Sequence, residues 1–250
     1  MITIRHIPLG AVRNFRDLGG YDSQLGGSVR WRSVFRSDSL SKLAANDLNV
    51  FEGLGVRTVF DLRSADERVS KPSLPGSLHL PITSRPPSSE LTGGFGTREE
   101  GQAWLRDEYL YMLENAAADF GDLFRVLAEP DNRPAVFHCA GGKDRTGLGA
   151  ALLLSWLGVE RETVLDDYEL TSVLVQREDL QIVVARFCES GMSVAAAEGL
   201  LSTPRWAMAN ALELMDEVEG GIERYLLRRC EVSPDVLATL REQLIEAPTM

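Results

Sequence analysis

Residues 135–157 constrain this chain more than any other stretch. AVFHC at 135–139 is a short apolar run and reads as a buried strand. A glycine-containing loop follows, and residues 148–157 are then apolar on every side, with Gly158 as the stop. A helix that is apolar all round must be buried. A short apolar strand running almost directly into such a helix is the unit of a parallel sheet covered by helices. Upstream, VRWRSVFR at 29–36 alternates apolar and polar residues, VRTVFD at 56–61 is β-branched and apolar, and 77–81 offers a further short strand. Between them, residues 39–51 place Ala44, Leu48 and Phe51 at helical spacing ahead of Gly53 and Gly55. Ser64 and Glu67 have the spacing of a capping box, and Pro72 and Pro75 end the helix it would open.

Residues 82–100, with two prolines and three glycines, read as a surface loop. Leu105, Tyr109 and Met112 begin one amphipathic helix, and Phe120, Phe124 and Leu127 mark a second. From Glu160 onward only helices are expected, with starts at Thr203-Pro204 and Ser233-Pro234. The expected class is therefore α/β. A central, mostly parallel sheet is flanked by helices within a single domain spanning 1–250, and a helical extension lies at the C-terminal end.

Charge narrows the chemistry. The net charge is −11, so non-specific nucleic-acid binding is not expected. The imbalance is local: residues 1–70 hold ten Lys/Arg against eight Asp/Glu, whereas 160–250 hold eight against eighteen. An anionic substrate would need a basic pocket against that field, and Arg13, Arg16, Arg36 and Arg63 are candidates. No run is long enough for stable membrane insertion. The first ten residues lack the apolar core of a secretory signal. Three cysteines, Cys139, Cys188 and Cys230, suggest a reducing compartment with at least one free thiol.

The loop at 138–147, HCAGGKDRTG, carries the chemistry. A helix starting near Asp144 to Thr146 points its unsatisfied N–H groups and its positive dipole end back into the loop. Gly141 and Gly142 allow several amides to turn inward as an anion nest. Ala140, Gly141, Gly142, Lys143, Asp144, Arg145 and Thr146 are thus candidate phosphate-binding residues, with no metal or cofactor implied. Arg145 follows Cys139 after five intervening residues, so its guanidinium can face the same anion with two donors. Cys139 beneath the anion, at a helix N-terminus and beside cations, is expected to ionise at neutral pH. A thiolate there can attack a phosphate monoester in line, and water then releases inorganic phosphate. Thr146 would either donate to the thiolate or cap the helix. His138 would either orient the loop or sit as a satisfied core histidine. The other two cysteines read as inert.

The spacing from Cys139 to Arg145 resembles the signature loop of cysteine-dependent protein tyrosine phosphatases. With GKDRT at 142–146, it is most similar to the bacterial tyrosine/dual-specificity branch typified by mycobacterial protein tyrosine phosphatase B. NFRDLGG at 14–20, FRSD at 35–38 and FDLR at 60–63 resemble further blocks of that family. The resemblance implies a tyrosine phosphatase fold and action on phosphotyrosine proteins, with phosphoserine/threonine or phosphoinositides as additional substrates. It also implies a helical lid, mapping to about 176–215.

The resemblance assigns Asp144 as the general acid, with a helix-start cap as its other role, while Asp61, at the end of an expected strand, is either a second candidate from the residues themselves or the ion-pair partner of Arg63 or Arg16. Lys143 goes with phosphoinositide activity in relatives. Arg36 and Arg63 are candidate substrate contacts or structural ion pairs. A phosphoinositide phosphatase and a phosphate-binding module without turnover are the competing readings. A rhodanese-like sulfurtransferase is disfavoured by the residues that follow Gly142. The expected location is cytoplasmic, with export lacking a signal peptide as the alternative.

Overall fold

The computed structural model describes residues 5–85 and 95–247, so part of the loop expected at 82–100 lies outside the described residues. Among the described residues, seven short strands form two sheets: β1 (Arg16–Asp17), β2 (Ser28–Val29), β3 (Val34–Ser37), β4 (Thr58–Asp61), β5 (Leu78–His79), β6 (Ala135–His138) and β7 (Ile245–Glu246). The main sheet has the order β1-β3-β6-β4-β5. Its last four strands are parallel, and β1 runs antiparallel to β3. β6 lies at the centre, with His138 in register with Ser37 on one side and Asp61 on the other. The C-terminal ends of three strands therefore open onto one crevice, where α/β sheets place their ligands.

Side-chain alternation splits the core between the two sheet faces. Val34, Phe60, Ala135 and Phe137 face one apolar cluster, while Phe35 and Val136 face another with Phe15 and Leu40. The first face is covered by α3 (Arg98–Asn115), α4 (Ala117–Ala128) and α5 (Asp144–Trp156), which contribute Tyr109, Met112, Phe120, Phe124, Leu148 and Leu152. α1 (Leu48–Gly53) brings Phe51 against the second face, and α2 (Ala65–Ser70) follows β4. After α5 come α6 (Arg161–Leu174), α7 (Arg177–Glu189), α8 (Val194–Leu201), α9 (Arg205–Leu214), α10 (Ile222–Arg228) and α11 (Pro234–Leu244).

Several local expectations change. The strand expected at 29–36 is two strands, because Arg32 adopts φ 55°, incompatible with a continuous ladder. Asp17 Oδ2 holds that turn by accepting from the Arg32 amide at 2.8 Å. Val29 pairs with Ile245 in a separate ribbon instead. The helix expected at 39–51 is two 3-10 turns followed by α1, since Leu43 and Ala44 are extended and no side chain caps any of the three starts. The capping boxes are formed as sequence logic requires at Ser64/Glu67 and also at Thr97/Glu100, which starts α3 earlier than Leu105. Ser233 caps α11 with Pro234 in its first turn, whereas α9 begins after Pro204 without a side-chain cap.

The helices of 176–215 divide between two environments. α7 and α8 build a separate apolar cluster with Trp104, Leu105 and Met192, joined by Val184 and Phe187. Gly101 lets α8 lie directly on α3, since a Cβ there would sit 2.2 Å from Ala196 O. α9 instead inserts Ala207, Met208, Ala211 and Leu212 into the main core. Among the described residues, no helix is long and apolar enough to cross a membrane.

Candidate active site

The loop between β6 and α5 is fixed through its carbonyls. His138 O accepts from Leu62 N at 2.8 Å, and Ala140 O accepts from Ser39 N at 3.2 Å. Gly141 O and Gly142 O each accept from Asn14 Nδ2 at 3.0 Å, and Gly142 O also accepts from Arg36 Nη2 at 2.8 Å. The peptide unit is planar and trans, so N–H and C=O point opposite ways. Carbonyls drawn outward to the sheet turn the amides toward the other side, which is the side an anion would occupy. Gly142 has φ 64°, and a Cβ on it would meet Ser37 O at 2.4 Å, so only glycine fits this turn. The N-terminus of α5 has no side-chain cap, leaving its first amides available.

Cys139 sits at the base of this loop, 3% exposed, while Ala140 and Gly141 at the rim are open to solvent. Arg36, Lys143 and Arg145 all lie within electrostatic reach of its sulfur. Arg145 donates from Nη1 and Nη2 to Glu67 Oε2 and Oε1 at 2.6 and 2.8 Å. Burial would raise the Glu67 pKa, but the guanidinium's hydrogen bonds and charge hold it below the usual carboxylate range. The Arg145 fork is thereby aimed, and Nε–H and the outer hydrogen of Nη2 make no hydrogen bond among the described residues.

Asp144, the first residue of α5, has a side chain 36% exposed, and its Oδ1 accepts from Tyr109 Oη at 2.8 Å. Lys143 is not solvent-facing. Its ammonium donates to Leu200 O at 2.6 Å and Ser202 O at 3.0 Å at the end of α8, and lies 3.4 Å from Asp144 Oδ1. Burial pushes its pKa down, and Asp144 opposes that shift. Its charge is therefore shared with the overlying helix rather than given wholly to the loop. Lys143, Asp144 and Arg145 floor a cavity of about 130 Å³, whose walls include Trp104, Leu105, Phe187 and Leu200.

Three candidates left open between a site role and an ion pair lie in buried ion pairs. Asp61 is wholly buried and receives Arg63 Nε and Nη2 at 2.9 and 2.7 Å, together with the Ser73 hydroxyl. Burial acts to raise its pKa, but these donors hold it well below the usual range. That pairing is the ion-pair alternative, and it places Asp61 as an acceptor instead of a proton donor. Arg63 is that partner and also donates to Lys71 O, and it is itself buried, so it does not face a substrate. Arg36 is fully buried beneath the loop, bound to Gly142 O and Asp167, and acts on the loop rather than on a ligand.

His138 Nδ1 lies 3.2 Å from Cys139 O, and burial, against the pull of Asp61, lowers its pKa. The Thr146 hydroxyl is buried without a hydrogen-bond partner among the described residues, so it neither caps α5 nor reaches the sulfur. No group of three or more His, Cys, Asp or Glu among the described residues could hold a metal ion.

Four residues that matter here were given no part in the site by the sequence: Asn14, Glu67, Tyr109 and Asp167. Glu67 was visible as a cap, but its second task needs the long-range approach of Arg145. Asp167, on α6, is fully buried and accepts from Arg16 Nε at 2.9 Å, Arg36 Nη1 at 2.6 Å and Tyr21 Oη at 3.0 Å. Arg16 in turn contacts Asn14, so one carboxylate anchors both side chains that hold the glycine carbonyls. Removing one partner of a buried ion pair leaves uncompensated charge. Asp167→Ala is expected to destabilise the fold by about 3–5 kcal/mol. The readout is a lower urea midpoint at unchanged slope, and an unmoved midpoint would show that Arg16 and Arg36 are neutralised elsewhere.

The sequence model of the tyrosine phosphatase family matches residues 7–246. A Cupriavidus necator protein, provisionally named a tyrosine-protein phosphatase, is 28% identical over 242 residues, covering 91% of this chain and 85% of that one. The triple specificity protein phosphatase PtpB of Mycobacterium tuberculosis is 25% identical over 268 residues, covering 90% and 93%. The crystal structure of P. aeruginosa TpbA aligns with a TM-score of 0.36 at 20% identity, over 71% of this chain and 87% of that one, an overlap too loose to bear on the chemistry.

Proposed function

This chain belongs to the tyrosine phosphatase family, and from that premise we propose that it hydrolyses phosphotyrosine in protein substrates through a phosphocysteine formed at Cys139. The carrying observation is the loop whose outward-held carbonyls turn its amides over Cys139, with Arg145 aimed by Glu67. In the first step the Cys139 sulfur attacks phosphorus and the S–P bond forms. The P–O bond to the tyrosine breaks, and the leaving phenolate takes a proton from Asp144. In the second step water attacks phosphorus and gives a proton to Asp144. The S–P bond breaks, returning the thiolate and releasing inorganic phosphate. The loop amides and Arg145 stabilise charge on the equatorial oxygens in both steps.

An aryl ester is favoured by the walls of the cavity, where Trp104, Leu105 and Phe187 offer apolar and aromatic surface around Asp144 and Arg145. The name of the mycobacterial relative attributes triple specificity to that protein, so serine and lipid phosphates belong in the test. For this chain, kcat/KM is expected to be at least about tenfold higher on a phosphotyrosine peptide than on a phosphoserine peptide or a short-chain phosphatidylinositol phosphate. Tenfold corresponds to about 1.4 kcal/mol of differential transition-state binding. Lipid turnover equal to or above the peptide rate would replace this assignment with a phosphoinositide phosphatase.

A further inference from the structure

We propose that Tyr109 is a positioning residue for the general acid, fixing the Asp144 carboxyl so that its Oδ2 carries the proton delivered to the leaving group. The inference rests on the assignment of Asp144 as the acid. It goes beyond that assignment by naming what holds the carboxyl and which oxygen reacts.

The geometry leaves little freedom in how the protons are arranged. Tyr109 lies on α3, fully buried, and its hydroxyl contacts Asp144 Oδ1 at 2.8 Å and the Tyr168 hydroxyl at 2.6 Å. A phenol has one proton to donate. Asp144 as carboxylate can only accept, so the Tyr109 proton goes to Oδ1. Tyr168 on α6 must then donate to the Tyr109 oxygen. The two rings meet edge to face, with centroids 6.1 Å apart and an 89° interplanar angle, which fixes both hydroxyls.

Burial, reinforced by the charge of Asp144, holds both phenols well above their ordinary ionisation range. They therefore remain donors throughout the working range and do not themselves supply the leaving-group proton. Oδ1 is thus occupied by Tyr109 and faced by Lys143 at 3.4 Å, whereas Oδ2 receives no donor among the described residues.

An aspartate at the first position of a helix is otherwise free to rotate. Asp144 is flanked in sequence by two cations, Lys143 and Arg145, and a bidentate pairing with either would engage both of its oxygens. Tyr109 opposes that rotation. Lys143 is restrained as well, because its ammonium is held by Leu200 O and Ser202 O. Lys143 still pairs with Oδ1 at 3.4 Å, but its ammonium is tied to the two carbonyls, so Oδ2 is left without a donor among the described residues.

The test uses the full-length chain with a series of aryl phosphates of graded leaving-group basicity. Tyr109→Phe removes one hydroxyl and keeps the ring. It is expected to lower kcat about tenfold on phenyl phosphate and less than about twofold on p-nitrophenyl phosphate, with KM and tungstate affinity unchanged. Asp144→Asn should show the same dependence more steeply, and adding Tyr109→Phe to it should cost nothing further. Tyr168→Phe, which leaves the bond to Asp144 in place, should lose less than Tyr109→Phe on phenyl phosphate.

A uniform loss across leaving groups in Tyr109→Phe, or a loss carried by KM, overturns the positioning role while leaving Asp144 as the acid. A flat leaving-group dependence in Asp144→Asn overturns both. Equal losses in Tyr168→Phe and Tyr109→Phe would assign the effect to the buried hydroxyl pair as a unit instead of to the Tyr109–Asp144 bond, and would also overturn the proposal.

Discussion

Replacing Cys139 with serine is expected to lower kcat on p-nitrophenyl phosphate by at least about a thousandfold while leaving affinity for inorganic phosphate or tungstate near the parent value. The two halves of this expectation come from different atoms. Turnover needs a soft, ionised sulfur that can hold phosphorus covalently, and a serine hydroxyl at the same place has neither the charge nor the nucleophilicity. Binding needs the loop amides, the open start of α5 and the Arg145 fork, none of which the exchange of sulfur for oxygen removes. Steady-state rates and isothermal titration with tungstate read the two halves separately. Near-parental turnover by Cys139→Ser would falsify the covalent mechanism. Loss of oxyanion binding alongside turnover would mean that the substitution had collapsed the loop.

Arg145→Lys carries the second large effect. Lysine keeps the positive charge but presents a point donor in place of a planar fork. It therefore cannot hold Glu67 with two bonds and an oxyanion with two more. A reduction in kcat of about 100- to 1,000-fold is expected, the range for removing an oriented donor from a developing oxyanion. The loss should be similar for good and poor leaving groups, since the equatorial oxygens carry charge whichever alcohol departs. That pattern separates it from substitutions at Asp144. Glu67→Gln should share part of the loss through mis-aiming of the guanidinium, although its amide oxygen can still accept from Ser64 N to cap α2. Rates near the parent in Arg145→Lys would remove Arg145 from the transition state.

The parts of this site legible in the sequence are those whose requirements are local. A strand, two glycines, a helix start, a cysteine and an arginine after five intervening residues all occur within 135–157, so short-range rules suffice. The parallel sheet was legible for the same reason, since alternation and length mark each strand separately. What the sequence left open was which partner each charged side chain takes. Asp61 at a strand end looks the same in sequence whether it faces a crevice or a buried guanidinium, and Arg63 two residues on decided the matter. Arg36 stood open between a ligand contact and an ion pair, because arginine is costly to bury unpaired. The compensating carboxylate, Asp167, stands 131 residues away on a helix without a motif. The strand at 29–36 was misread for a different reason. Its alternation is real, but the Arg32 backbone turns to positive φ with its amide held by Asp17, a constraint that periodicity does not register.

The carbonyls of the anion loop are held by groups from residues 14, 36, 39 and 62, four places on the chain that meet only when the central strands are aligned. The catalytic cup consequently has no autonomy. A nascent or partly assembled chain already contains the cysteine and the arginine, yet lacks the scaffolding that turns amides toward a phosphoryl group. Competence toward phosphoesters therefore arrives late and all at once, as a property of the finished sheet.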